Sequence, residues 1–66
     1  MRFRIQYKEP NGKLFIDKRI FAKDEHDGIR VASNQFEYYF NELKQWGVPF
    51  EYYIHLRDCK LIIKEE

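Results

Sequence analysis

Two histidines and one cysteine, His26, His55 and Cys59, are the side chains of this chain best suited to ligate a metal, move a proton or attack an electrophile, and no spacing joins them. A structural or catalytic metal needs several such ligands in one place. His26 belongs with Asp24, Glu25 and Asp27 to the start of a helix, far along the chain from His55, so a shared acid–base site would have to be made by the fold alone. The three acidic residues have cation-binding chemistry. They also suit the positive end of a helix dipole, which explains them without an ion. Cys59 falls in a turn, where it would be an exposed thiol, and a lone cysteine forms no internal disulfide, although it could cross-link two chains. No Ser-His-Asp or Cys-His set is present, and with only three glycines there is no glycine-rich phosphate loop. The sequence therefore assigns no catalytic residue, no metal and no cofactor, and it reads as a protein that is not an enzyme.

These residues must be positioned by one small domain spanning residues 1–66. A chain of this size buries roughly 60% of its unfolded surface, so its core is modest. Six Phe, five Tyr and one Trp compensate, because aromatic rings bury about 150–250 Å² each. Oligomerisation is the other common remedy, and a homo-oligomer is one expectation. The net charge is +1, but residues 1–22 stand at +4, residues 23–47 at −2 and residues 48–66 at −1. No apolar run approaches the ~18–20 residues that span a bilayer, and Met1-Arg2-Phe3-Arg4 alternates where a signal peptide would be continuously apolar. The expectation is a cytoplasmic protein with a reduced thiol and no membrane partner.

Periodicity supplies the elements. Phe3, Ile5 and Tyr7 alternate with Arg2, Arg4, Gln6 and Lys8, as in a half-buried strand. Pro10-Asn11-Gly12 marks a tight turn. A two-residue Asn11-Gly12 loop pairs Tyr7 with Ile16 and Phe3 with Ile20 on the inner face, whereas a three-residue loop would bring Asp17 and Arg19 inward. The first register is preferred, because a one-residue slip exchanges the faces. It leaves Lys18 inward opposite Ile5, a charge that protects an edge strand from pairing with another molecule. From about Asp24 to Trp46, apolar Ile29, Ala32, Phe36, Phe40 and Leu43 line one face of a helix. Asp24 with Asp27 resembles a capping box, and Gly47 and Pro49 stop the helix.

Residues 50–57 alternate again, with Phe50, Tyr52, Ile54 and Leu56 opposed to Glu51, Tyr53, His55 and Arg57. A turn at Asp58-Cys59 would pair Leu56 with Leu61 and Ile54 with Ile63. The predicted fold is α+β, a ββαββ chain with a four-stranded sheet and one helix packed on one face. Its core is Phe3, Ile5, Tyr7, Ile20, Ile29, Ala32, Phe36, Phe40, Leu43, Phe50, Tyr52, Ile54, Leu61 and Ile63. From Ala32 to Glu66, an aromatic helix, a Gly47-Val48 stop, an aromatic-rich hairpin and an acidic end resemble the β-grasp fold in the layout of the immunoglobulin-binding B domain of protein G. That resemblance implies strand order 2-1-4-3 with strands 1 and 4 parallel. It carries over no antibody-binding residue.

Two surfaces follow. The helix would turn Val31, Asn34, Gln35, Tyr38, Asn41 and Gln45 away from the core as a nearly uncharged stripe, which suits contact with a protein partner. The sheet face opposite the helix would display Arg2, Arg4, Phe15, Arg19, Tyr53, His55, Arg57, Lys60 and Lys64, the mixture of cations and rings that single-stranded nucleic acid needs. A net charge of +1 is small for a nucleic-acid binder. The leading expectation is a non-enzymatic protein-binding module, an adaptor or inhibitor acting through the outer helix face. Single-stranded nucleic-acid binding and a structural subunit of a larger assembly are the alternatives.

Overall fold

A computed structural model describes all residues from Met1 to Glu66. The chain forms strand β1 (Arg2–Lys8), strand β2 (Leu14–Phe21), helix α1 (Glu25–Gln45), two short 3-10 turns (Phe50–Tyr52 and Ile54–Asp58) and strand β3 (Lys60–Glu65). The sheet has three strands in the order β2-β1-β3, with both neighbours antiparallel to β1. The helix lies on one face.

The expected four-stranded sheet, its 2-1-4-3 order and the β-grasp layout are thereby overturned. Residues 50–57 do not form a strand, the Leu56–Leu61 and Ile54–Ile63 hairpin is absent, and the last strand runs antiparallel to β1. The direction of α1 explains the change. Gly28, in its first turn, sits over Phe3 and Ile63, while its last turn reaches Phe15 near the β1–β2 hairpin. The chain leaves the helix at the end of the sheet where Lys60 pairs with Lys8. A compact coil is enough to connect the two, and no strand has to cross the sheet in between.

The first hairpin keeps the predicted inner pairs Tyr7–Ile16 and Phe3–Ile20 and places Lys18 opposite Ile5, with β2 at an edge. Its loop differs from the preferred one. Gly12 donates its N–H to Glu9 O at 2.9 Å and takes φ +91°, so the turn is the three-residue Pro10-Asn11-Gly12 closed by Glu9 and Lys13. A bulge then shifts the register between Tyr7 and Lys8, restoring the apolar pairs that a three-residue loop alone would lose. The extra residue it absorbs is Phe15. The bulge swings that ring to the helix side, where it meets Phe36 edge-on at 5.8 Å between centroids.

Asp24 caps α1 by accepting the Asp27 N–H at 2.8 Å, and Asp27 in turn accepts the Lys23 N–H at 3.1 Å. The reciprocal partner is thus Lys23 rather than the cap residue's own amide. The Lys23 amide and the Arg30 guanidinium together hold the Asp27 carboxyl below its ordinary value. The C-terminus closes with two bonds, Gly47 N–H to Lys44 O and Val48 N–H to Leu43 O, both at 3.2 Å. Gly47 at φ +76° occupies the left-handed position this motif requires.

The buried residues are Phe3, Ile5, Tyr7, Ile16, Ile20, Ala22, Gly28, Ala32, Tyr53 and Leu56. Relative to the expected face, the helix is rotated so that Gly28, Val31, Ala32 and Tyr39 turn toward the sheet, and Ile29 is left exposed. Gly28 suits this rotation. A Cβ there would lie 2.9 Å from Ile63 Cδ1, so the glycine permits a close approach of helix to sheet. Phe50, Tyr52 and Ile54, placed in the core by strand alternation, are exposed as well.

Candidate protein-contact surface

The end of α1 builds an apolar cleft from local sequence. The hydrogen bond from Val48 N–H to Leu43 O folds Val48 back beside Leu43, as the hydrophobic contact of this capping motif does generally. Tyr39 lies one turn earlier on the helix, and the β2 bulge supplies Phe15 from across the layer. Together with Trp46 and one acidic residue, Glu42, these side chains enclose about 270 Å³. Trp46 stands at the rim, 82% exposed. An indole combines a large apolar area with a single donor, the chemistry enriched at binding anchors.

The predicted outer stripe is partly preserved. Asn34, Asn41 and Gln45 are exposed, and Tyr38 is 60% exposed. Val31 is instead half-buried against the core, and Gln35 is half-buried and accepts a hydrogen bond from Lys18 Nζ at 3.2 Å. The helical rotation that brought Gly28 to the sheet moved both of them inward. Tyr38 stacks edge-on against Tyr39 at 5.4 Å, so the exposed stripe runs continuously into the cleft. A hydrogen bond to Glu42, reinforced by that carboxylate's charge, pushes the Tyr38 phenol above its ordinary value. Lys18 Nζ lies 5.8 Å from the Tyr39 ring centre. Sequence reasoning missed Trp46, Leu43, Val48 and Phe15 as a group. The Gly47-Val48 stop was a usable signal, because this cap brings Val48 onto Leu43.

The open sheet face departs further from expectation. Arg2, Arg4, Arg19, Lys60 and Lys64 do lie on or beside it, in rows set by the pairs Arg4–Arg19 and Arg4–Lys64. Arg4 donates twice to Asp17, from Nε at 3.0 Å and Nη2 at 2.9 Å. That pair holds the Asp17 carboxyl below its ordinary value and raises the Arg4 guanidinium. Arg19 donates to Glu66 at 3.0 Å, and Arg2 lies over the exposed Phe21 ring at 5.5 Å.

The rings and the histidine assigned to this face are elsewhere. Phe15 is on the helix side. Tyr53 is 5% exposed, wedged edge-on against Phe40 at 5.2 Å and Phe50 at 5.3 Å. Arg57 lies over Phe50 at 5.0 Å, and His55 Nε2 is 2.8 Å from Glu9 Oε1 beside the first hairpin. His26, in the first turn of α1, is at the other end of the molecule. No three His, Cys, Asp or Glu side chains gather closely enough to hold a metal ion, and no helix is long and apolar enough to cross a membrane.

Comparison with protein-family models, curated proteins and solved structures finds no significant match to this chain.

Proposed function

We propose that this protein is a non-enzymatic protein-binding module whose contact surface is the cleft at the C-terminal end of α1, with the stripe of Asn34, Tyr38, Asn41 and Gln45 as its polar extension. The observation that carries the reading is Trp46, exposed beside an apolar hollow of about 270 Å³. An aromatic anchor, a cleft and a rim of amides and charges are the arrangement in which a few residues supply most of the binding energy. The cleft is of a size to accept one apolar side chain from a partner.

Single-stranded nucleic-acid binding has less support. Base stacking needs rings on the open face, and Phe21 is the one aromatic side chain placed there, with Arg2 already over it. Two of the arginines are engaged by carboxylates.

Trp46 is the sole tryptophan, so it reports directly on its own burial. With a partner captured from the native host, titration should shift its emission to shorter wavelength. Trp46→Ser should weaken that binding at least about tenfold, a loss of about 1.4 kcal/mol. Arg19→Glu on the open face should leave it unchanged. Retention of the same partner by Trp46→Ser with unaltered affinity would remove this reading.

A further inference from the structure

The two edges of the sheet differ in how far they are closed to pairing. Along β1, odd and even residues serve different neighbours. Met1 exchanges hydrogen bonds with Ala22, and Glu66 N–H donates to Arg2 O, so the odd residues of β1 bond to β2 and the even ones to β3. The backbone N–H and C=O of Leu61, Ile63 and Glu65 therefore point away from the sheet. No side chain or other backbone segment bonds to them. The β2 edge is protected by its bulge, by Lys18 on the inner face and by charged Asp17 and Arg19 at its outward positions. The β3 edge carries charge only toward its ends, at Lys60, Lys64 and Glu65; it has no bulge and no proline, and its centre is Leu61-Ile62-Ile63, all half-buried.

We infer that the β3 edge pairs antiparallel with the β3 edge of a second copy of this chain, giving a continuous six-stranded sheet. Outward-bonding residues must face one another across such a junction, which leaves few registers. Centring the twofold on Ile62 sets Lys60 against Lys64 of the other copy twice, a like-charge juxtaposition. Centring it on Ile63 sets Lys60 against Glu66 twice and Lys64 against Ile62. It also sets Leu61 against Glu65, and Glu66, which Arg19 of its own chain already holds at 3.0 Å, is then shared between two cations. The absence of a like-charge pair selects the second register. In it the two Ile63 side chains meet on the helix side, beside Gly28 of α1. The junction covers apolar surface that one chain leaves partly in water. It lies across the sheet from the Trp46 cleft, so it stands or falls independently of the function proposed above.

Sedimentation equilibrium of the full chain, from micromolar to millimolar concentration, should show a rise from the monomer mass to twice that mass. Over the same range, amide exchange at Ile63 should slow, while exchange at Lys64, whose N–H already bonds to β1, should not. Lys60→Glu and Glu66→Lys, both at exposed positions, should each weaken the dimer at least about tenfold. The combined variant should restore it. A monomer mass at every concentration overturns the inference, as does a dimer that neither single reversal weakens. Failure of the combined variant to recover association, with its fold intact, overturns the register.

Discussion

Residues 2–8 and residues 50–57 carry the same alternation of apolar and polar side chains, yet one is the central strand of the sheet and the other coils into 3-10 turns. The difference lies in a second period hidden in the later segment. Phe50, Tyr53, Leu56 and Cys59 recur every third residue, the spacing at which side chains eclipse in a 3-10 helix. Tyr53 and Leu56 of this set are buried, Cys59 is half-buried, and Phe50 at its start is exposed with its ring against Tyr53. Of the alternating set, Tyr52 is 67% exposed and Ile54 is exposed too. Residues 2–8 have no such rival, and the turn that follows returns a complementary strand. Alternation thus becomes a strand where a partner is delivered, and it yields where a competing period can bury rings locally.

The largest effects should mark the first of the two regions. Phe3 is almost wholly enclosed between sheet and helix and touches the space over Gly28. Phe3→Ala should cost about 3–5 kcal/mol in urea denaturation, a large share of the stability of so small a domain.

In the second region the two periods make opposite forecasts. Leu56→Ala should cost about 2 kcal/mol, the low end for a buried leucine because half-exposed neighbours can close over the gap. Tyr52→Ala should stay within about 0.5 kcal/mol of the parent. A strand at 50–57 would put Tyr52 on the inner face, so a Tyr52→Ala variant as unstable as Leu56→Ala would restore the strand and undo the contrast.

The parts of the fold legible in the sequence are those decided within a few residues. The Asp24 cap, the Gly47 stop and the apolar pairing of the first hairpin all rest on local chemistry. What escaped depended on long-range geometry. Gly28, which the sequence did not single out, lies against Ile63 and Phe3 in a helix rotated so that Val31 and Gln35 turn inward and Ile29 is left out. Phe15 followed strict alternation on paper, and a bulge required by the three-residue turn moved it to the other face. The candidate site suffered for the same reason. Tyr38 and its amide neighbours were visible as an outer stripe, whereas the cleft beside them needs Phe15 from another layer and a cap that folds Val48 onto Leu43.

Cys59 gives the finest measure of how closed the 3-10 segment is. Burial pushes its thiol above the ordinary value, and the carboxylates of Glu9 and Asp58 add to the rise. The thiolate is the reactive form, so a raised pKa means less of it at neutral pH and slower alkylation than in an unfolded peptide of the same sequence. As pH increases, the alkylation rate should climb with its inflection displaced above that of the free peptide, because the folded protein retains the proton longer. The difference between folded and free thiols should shrink in Leu56→Ala, where the turn that covers Cys59 loses its buried anchor, and stay as it is in Tyr52→Ala. An inflection at or below the free peptide's value would mean that the segment leaves Cys59 open to water, and the period-three packing of residues 50–59 would have to be abandoned.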